Sequence, residues 1–458
     1  MSHYDVLVRG GTVVTSEAVS LADIAIADGR IAVCAPEIEG DVAEEIDARG
    51  LHIFPGVIDT HVHFNEPGRS DWEGFATGTR ALAAGGATAY VEMPLNAHPP
   101  TVDAASFDLK LDAAKTSSQV DFAFWGGLVP GGIEQMDELA ERGVVGFKAF
   151  LSNSGIEDFP AVDDLTLYEG MRRAATLGRI VAVHAENDGI TSALALRARR
   201  EGRTGVRDYL ASRPAIAEVE AISRSILLAE ETRCALHIVH VSTGRGVALV
   251  TAARQRGIDV TCETCPHYLA LTDEDVEQIG AIAKCAPPIR SATEQTALWE
   301  CLMAGDIPIV ASDHSPSPPE MKVEPDFFAV WGGISGCQTL LRVLLTAGWE
   351  QRQAPLTALA AVTSANPALR YGFASMKGTI APGVDADLAL VDLSRSDVLH
   401  SSDLLYRHQH SPFVGRRLRG QIVRTLLRGA TIFRDGVIVS PARGRLLRPG
   451  YTERERGR

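Results

Sequence analysis

The chain of 458 residues is long enough for one large barrel with an appended domain, or for two to four smaller domains. Hydrophobic residues make up 45% and charged residues 22%, which is typical of a globular protein and argues against a disordered chain. The 58 acidic residues outnumber the 44 basic ones, and this negative charge disfavours binding to nucleic acids or to anionic membranes. Seven cysteines and the lack of a secretory signal predict a reducing, cytoplasmic compartment.

Both ends of the chain have short alternating runs that are typical of strands. An Asp-Gly pair separates two such runs near each end, at Asp28-Gly29 and at Asp435-Gly436, and predicts a hairpin there. We therefore expect one small β-sandwich domain formed from both termini, residues 1–54 and 376–443. The arginine-rich residues 444–458 are predicted to be a surface tail.

Between these ends, short apolar runs alternate with stretches compatible with helices. Such alternation predicts parallel strands with right-handed crossovers. Eight units fit an α/β fold of the (β/α)8 TIM-like barrel type over residues 55–375. An open doubly wound sheet is the alternative, but its Gly-rich turn after the first strand is replaced here by histidines. The eight predicted strands lie near 55–64, 87–93, 120–128, 144–151, 179–185, 235–241, 259–269 and 307–312.

Potential metal ligands stand where four of these strands end. His61 and His63 point to the same side of the first strand because a strand has a period of two. His184, His240 and Asp313 follow three further apolar runs. The carboxyl ends of barrel strands form the rim on which such enzymes build their sites. Imidazoles and a carboxylate gathered there predict a metal centre.

Lys148 lies within the apolar run 144–151, where a bare ammonium would need a good partner. One interpretation is that the side chain extends out of the strand end into water. The other is a neutral lysine that reacts with carbon dioxide to form a carbamate. Two anionic carbamate oxygens could bridge two cations. Four neutral histidines alone would leave the positive charge of these cations undercompensated.

The chain resembles the cyclic amidohydrolases of the amidohydrolase superfamily, a group that comprises hydantoinases, dihydropyrimidinases, dihydroorotases and allantoinases. The resemblance covers nearly the whole chain. The motifs that carry it are 55–69, 146–148, 184–186, 240–242, 312–314 and 377–387. The allantoinase branch is the most similar, on the residues 65–69, 72–75, 93–96 and 312–322.

The resemblance implies a centre of two divalent metal ions, with zinc as the expected metal and cobalt, nickel or manganese as alternatives. His61 and His63 match ligands of the more buried ion, and His184 and His240 match those of the more exposed ion. Lys148 matches the bridging N6-carboxylysine, which requires carbon dioxide. Asp313 matches the aspartate that binds the buried ion and moves protons as the catalytic residue. All six positions are intact, which disfavours an inactive dihydropyrimidinase-like scaffold.

The implied reaction is the hydrolysis of a cyclic amide by a metal-bridging hydroxide, with a small molecule as substrate. Allantoin, hydrolysed to allantoate in ureide catabolism, is the expected substrate, and a hydantoinase, dihydropyrimidinase or dihydroorotase activity is the alternative. Dihydroorotases usually have an arginine at the position of Asn65, so this residue either favours a neutral ring or only caps a turn. Cys285 either lines the pocket or is a buried structural thiol. The expected substrate contacts are Asn65, Asn96, Cys285, Ser315 and Gly332.

Three further expectations concern residues outside this set and the assembly. His237 is three residues before His240, so we expect it to face the opposite side of the strand. Cys262 and Cys265 have the Cys-x-x-Cys spacing, but without a second pair they do not predict a zinc ribbon. The resembling enzymes are commonly homotetramers, and a homotetramer is expected here on that ground alone.

Overall fold

The computed structural model describes residues 3–450 and begins with a strand-rich segment. Asp28 and Gly29 have φ angles of 52° and 75°, the pair of positive values that a two-residue hairpin turn requires. The hairpin predicted from this pair is therefore confirmed, between the second and third strands. The strands are β1 (His3–Val14), β2 (Val19–Ala27), β3 (Arg30–Ala35), β4 (Asp41–Asp47) and β5 (His52–Pro55).

The central part of the chain contains a strand at each of the eight predicted places. The third place holds two short strands, interrupted at Trp125. The seventh strand is shorter than predicted, because Pro266 starts a helix directly after it. These strands are β6 (Val57–Val62), β7 (Ala87–Glu92), β8 (Asp121–Phe124), β9 (Gly126–Gly127), β10 (Gly146–Phe150), β11 (Ile180–His184), β12 (Leu236–Ile238), β13 (Val260–Thr264) and β14 (Ile309–Val310).

Helices separate most of these strands, as the alternation predicted. The α-helices are α1 (Phe75–Ala84), α2 (Ala104–Ser117), α3 (Met136–Arg142), α4 (Asp164–Thr176), α5 (Asp188–Arg200), α6 (Val206–Ser212), α7 (Ala215–Thr232), α8 (Gly244–Gln255), α9 (Pro266–Ala270), α10 (Asp273–Ile279), α11 (Ala292–Met303), α12 (Leu340–Leu344), α13 (Leu356–Ala360) and α14 (Asn366–Arg370). Within residues 3–450, no helix combines the length and the apolar character that crossing a bilayer requires.

The barrel strands pair in parallel and in chain order. One sheet runs from β6 through β7 to β8, and a second runs from β9 to β14. A hydrogen bond from the Val145 amide to the Phe124 carbonyl joins them, at 2.9 Å. A parallel bridge between Val62 and His314 brings the end of the eighth strand back to the first. The predicted (β/α)8 barrel is thus confirmed, and its strands are almost wholly buried, as parallel strands covered by helices are.

The chain then returns to the N-terminal strands. The last four strands are β15 (Leu388–Val398), β16 (Arg417–Leu427), β17 (Ala430–Arg434) and β18 (Val437–Ile438). They extend one nine-stranded sheet in the order β18-β17-β16-β15-β5-β1-β2-β3, in which β4 also pairs with β1. Apolar side chains from both ends, such as Val8, Ile53 and Leu390, share one core. The predicted domain built from both termini is therefore confirmed.

Residues 444–450, the described part of the predicted tail, run back along the barrel. The Phe122 amide donates to the Arg445 carbonyl at 2.9 Å, and Leu447 is buried. Residues 451–458 of that tail lie outside the described residues.

A buried ion cluster links the barrel to the β-domain. The Lys377 ammonium lies 2.8 Å from an oxygen of Asp121, which begins β8, and 2.6 Å from an oxygen of Asp387, which precedes β15. Asp385 contributes a third carboxylate at 3.3 Å. Although burial opposes it, the charges of Asp387 and Asp121 raise the pKa of Lys377. Removing a buried cation of this kind strongly destabilises a protein, because its carboxylate partners remain buried.

We expect Lys377→Met to reduce the free energy of unfolding by about 3–5 kcal/mol, because it leaves the buried Asp387 carboxylate without its cation, whereas Asp121 keeps its ion pair with Arg428. Guanidinium unfolding followed by circular dichroism measures this loss. Arg30→Met is the control, since Arg30 is mostly exposed and lies 3.9 Å from Asp385, and it should leave the curve nearly unchanged. Equal effects of the two substitutions would contradict the role given to Lys377.

Candidate metal centre

The six predicted ligands converge on one end of the barrel. His61 and His184 lie near the carboxyl ends of β6 and β11, and Lys148 is in the middle of β10. His63, His240 and Asp313 follow β6, β12 and β14. The lysine and the four histidines are each at most 5% exposed. The barrel therefore gathers at one rim side chains that are up to 252 residues apart in sequence, at His61 and Asp313.

His61, His63 and Asp313 form the first cluster, in which one ligand atom from each lies within 4.8 Å of the others. Nε2 of His61 is 3.2 Å from Oδ1 of Asp313, and Nε2 of His63 is 3.5 Å from the same oxygen. Nδ1 of His61 lies 2.5 Å from Oε1 of Glu263. Because an ionised carboxylate only accepts, Nδ1 carries the proton and Nε2 turns its lone pair toward Asp313. Two lone pairs that face each other in this way fit a cation between them.

His184 and His240 form the second cluster. Nδ1 of His184 lies 3.1 Å from Nε2 of His240, and Nε2 of His184 lies 2.9 Å from Oε2 of Glu186. Arg213 also donates to this oxygen of Glu186. Glu186 thus fixes the proton on Nε2 of His184 and leaves Nδ1 as a lone-pair donor. The rings of His61 and His240 are 5.4 Å apart, so the two clusters are neighbours.

Lys148 extends into the same buried region from β10. Its ammonium nitrogen lies 4.8 Å from the centre of the Phe150 ring. Among the residues that the structure describes, none offers this nitrogen a hydrogen bond. Burial lowers the pKa of Lys148 to about 7, against the opposing charge of Asp313. A buried amine without a hydrogen-bond partner is costly as it stands, and it points to a modification or a ligand that completes it.

The ionisation of these groups suits a metal centre. Burial lowers the pKa of His63 to about 4 and that of His240 well below its ordinary value, so both rings are neutral at pH 7. Burial acts against the ionisation of Asp313, but its interactions with His61 and His63, which include a hydrogen bond from His63, outweigh burial and lower the pKa to about 2. Neutral imidazoles and an ionised carboxylate are the forms in which these side chains bind metals.

Backbone strain is concentrated at this rim. His240 and Asp313 have φ angles of 41° and 47°, and Asn65 and Asn96 have 65° and 70°. Non-glycine residues rarely adopt such angles, which cost free energy that the surrounding structure must offset. Strained residues cluster at functional sites in many proteins, and the positive φ angles of the two predicted ligands His240 and Asp313 agree with such a site here.

A cavity of about 550 Å³ opens onto both clusters. Four of the five predicted substrate residues, Asn96, Cys285, Ser315 and Gly332, line it. Nδ2 of Asn96 lies 3.4 Å from the Ser315 hydroxyl oxygen, and the Cys285 thiol donates to the Pro287 carbonyl at 3.3 Å.

Asn65 is the fifth predicted substrate residue, and it is fully buried. Its side-chain amide donates to the Pro316 carbonyl at 3.3 Å. Of the described residues, those that line the cavity do not include Asn65.

Sequence reasoning missed the carboxylates that hold the imidazoles. Glu263 contacts His61 and also lies 3.2 Å from Nε2 of His237, so the expectation that His237 faces away from the site is wrong. Strand β12 ends at Ile238, so the period of two does not extend to His240. The available signal was an acidic residue inside the buried strand β13. Glu186 belongs to the motif 184–186, but the motif did not predict its contact with His184.

Comparisons with known proteins place the chain in a family. The model of the amidohydrolase family matches residues 52–432. The chain belongs to the amidohydrolase family. An allantoinase from Rubrobacter xylanophilus is 63% identical over 457 residues, which cover all of both chains, and one from Solibacter usitatus is 56% identical over 97% of this chain and 96% of its own. The family and the resemblance to allantoinases predicted from the motifs are thus confirmed.

Solved structures of a hydantoinase and a dihydropyrimidinase share the fold. An L-hydantoinase from Arthrobacter aurescens superposes with a TM-score of 0.94 at 36% identity, over 97% of this chain and 99% of its own. A dihydropyrimidinase from Brevibacillus agri has a TM-score of 0.90 at 30% identity, over 97% and 98% of the two chains. Family membership and the cluster of imidazole and carboxylate donors together support the use of divalent metal.

We expect Glu263→Gln to weaken divalent metal binding by about 10–100-fold, because the amide no longer fixes the proton on Nδ1 of His61. Competition with a chromogenic chelator, monitored in the purified protein, gives this affinity. Asp23→Asn is the matched control, since Asp23 is a buried carboxylate of the β-domain that binds the Gly10 and Ile38 amides. It should bind metal like the parent protein, and a loss of the same size in both variants would contradict the assignment.

Proposed function

We propose that this protein hydrolyses allantoin to allantoate, opening the ring at a cyclic amide bond. The observation that carries the proposal is the convergence of four histidines and Asp313 on one cavity, with the buried Lys148 close behind them, in a chain up to 63% identical to allantoinases. An allantoinase from Deinococcus radiodurans, 52% identical over 97% of this chain and 99% of its own, adds to this support. The presence of all six proposed ligand residues argues against an inactive scaffold, which does not need them.

We propose that two divalent ions bind here, zinc first among them, with cobalt, nickel or manganese as substitutes. His61, His63 and Asp313 would hold one ion, and His184 and His240 the other. The donors fit, because two imidazole lone pairs face a carboxylate in one cluster and two imidazole nitrogens face each other in the second. Nitrogen and oxygen donors of this type suit any of these metals.

We propose that Lys148 is carboxylated, which would give both ions an additional anionic ligand. Its neutral amine attacks carbon dioxide, a C–N bond forms as one carbon–oxygen π bond opens, and an N–H proton leaves to solvent, so an anionic carbamate replaces the neutral amine. The side chain that has no hydrogen-bond partner as a free amine gains two oxygens that bind metal. Together with Asp313, the carbamate contributes two negative charges toward the charge of the two ions.

The bound ions would supply a water molecule of lowered pKa and polarise the amide carbonyl. Asp313 accepts the proton of the attacking water and returns it to the ring nitrogen as the C–N bond breaks. Its position between two imidazoles keeps it ionised and therefore able to take that proton. Glu186 and Glu263 hold His184 and His61 in the tautomers that leave their other nitrogens free.

The cavity wall offers hydrogen bonds to a neutral ring. The Ser315 hydroxyl can donate to a ring carbonyl, the Asn96 amide to a ureido arm, and the backbone around Gly332 can accept from a ring N–H. Cys285 contributes its buried thiol to the wall. For Asn65 we propose the turn-capping role, because its positive φ and its bond to the Pro316 carbonyl support a structural function.

A hydantoinase-type activity is the second candidate. It is favoured by one observation, the TM-score of 0.94 with an L-hydantoinase at 36% identity.

We further propose that the protein is a homotetramer and is cytoplasmic. The seven cysteines, all within the described residues and all unpaired, support a reducing compartment.

We expect the metal-loaded protein to turn over allantoin faster than hydantoin, dihydrouracil or dihydroorotate, since Asn96 in the cavity wall can bind the ureido arm that the other three substrates lack. Parallel assays of the four substrates measure the ranking.

Asp313→Asn should reduce turnover by at least about 100-fold, the usual contribution of a general acid–base group, while the protein remains folded. Near-full activity in that variant, or allantoin as the poorest substrate, would contradict the proposal.

We expect Lys148→Ala to be inactive and to regain part of its activity in the presence of acetate or propionate, because a free carboxylate can occupy the place of the carbamate. Turnover as a function of carboxylate concentration measures the rescue. Lys110→Ala is the control, since Lys110 is equally buried but bonds the Met93 carbonyl at 2.8 Å. Rescue of both variants, or of neither, would contradict carboxylation of Lys148.

A further inference from the structure

A third group of metal-binding side chains adjoins the proposed centre. Cys265 follows β13, His267 lies in α9, and one ligand atom from each lies within 4.8 Å of a carboxylate oxygen of Asp313. The proposed centre takes Asp313 together with His61 and His63, so Asp313 is common to both groups. A carboxylate has two oxygens and about four lone pairs, so it can serve both.

The third group has a donor that is not otherwise used. His267 is 1% exposed, and its Nε2 has no hydrogen-bond partner among the described residues. A buried polar atom of this kind is rare in folded proteins and calls for an explanation. A cation that takes its lone pair would supply one.

The chemistry of the group differs from that of the two-ion centre. A thiolate is a soft ligand, and thiolate, imidazole and carboxylate together suit zinc or cadmium rather than magnesium or calcium. One thiolate and one carboxylate match the charge of a divalent ion. Of the three side chains, Asp313 lines the cavity, whereas Cys265 and His267 lie buried behind it.

We propose that Cys265, His267 and Asp313 form an inhibitory site for a thiophilic divalent cation, cadmium or excess zinc. On binding, the Cys265 S–H bond breaks, its proton goes to solvent, and a sulfur–metal bond forms. The cation then occupies the carboxylate of Asp313 and prevents it from taking a proton. The inhibition rests on the proposed function, whereas the binding does not.

Cadmium titration of the full-length, metal-loaded protein tests this site by two separate readouts. A thiolate-to-cadmium absorption band in the ultraviolet reports binding, since the two-ion centre contains no thiol. Allantoin turnover reports inhibition. A background with Cys34→Ser and Cys301→Ser removes the partly exposed thiols, which would otherwise bind cadmium at the surface.

In this background we expect the band and the inhibition to develop together. Cys265→Ser should abolish the band and raise the inhibitory cadmium concentration by at least about tenfold, relative to the uninhibited activity of that variant. His267→Gln should shift both readouts in the same direction while keeping the thiol. Cys262→Ser is the matched control, a buried thiol of β13 near the Asp306 carbonyl, and should change neither.

An unchanged band in Cys265→Ser, or equal inhibition of the parent and both variants, would overturn the site. A band with normal cadmium dependence in a protein that does not hydrolyse allantoin would refute the proposed function and leave the site standing. Allantoin hydrolysis without the band would refute the site alone.

Discussion

The centre depends on carboxylates that hold the buried imidazoles from behind. Glu263 binds Nδ1 of His61, and Glu186 binds Nε2 of His184, so each ring keeps its proton on one nitrogen and its lone pair on the other. Burying neutral imidazoles and ionised carboxylates is costly unless they are hydrogen-bonded to one another. These pairs offset that cost and direct the remaining nitrogens of His61 and His184 toward Asp313 and His240, one in each cluster.

Contacts of the site residues also join the first strand of the barrel to its last two strands. The His63 amide donates to the His314 carbonyl at 2.7 Å, which links the first strand to the residue that follows Asp313. Glu263 lies in β13 and contacts His61 in β6, across the barrel interior. The metal ligands therefore cannot reach their arrangement in a chain whose first and last strands are apart. The Lys377 cluster further fixes the β-domain at β8.

Much of this arrangement could be predicted from the sequence, because the ligands stand at strand ends and barrel strands meet at one rim. The eight strands followed from the alternation of apolar runs and helical stretches, and the period of two placed His61 and His63 on one side of the first strand, while the resemblance implied their roles as ligands. Glu263 could not be found in this way, since one acid in a short strand gives no periodic signal. His237 was misplaced because β12 ends before His240, and the length of a strand depends on tertiary pairing.

Anomalous diffraction from crystals grown with zinc and bicarbonate tests the central claim most directly. The account predicts two zinc ions per chain, one between His61, His63 and Asp313 and one at His184 and His240, with carbamate density on Lys148 between them. A rim without zinc, or an unmodified Lys148 that turns away from the ions, would contradict it.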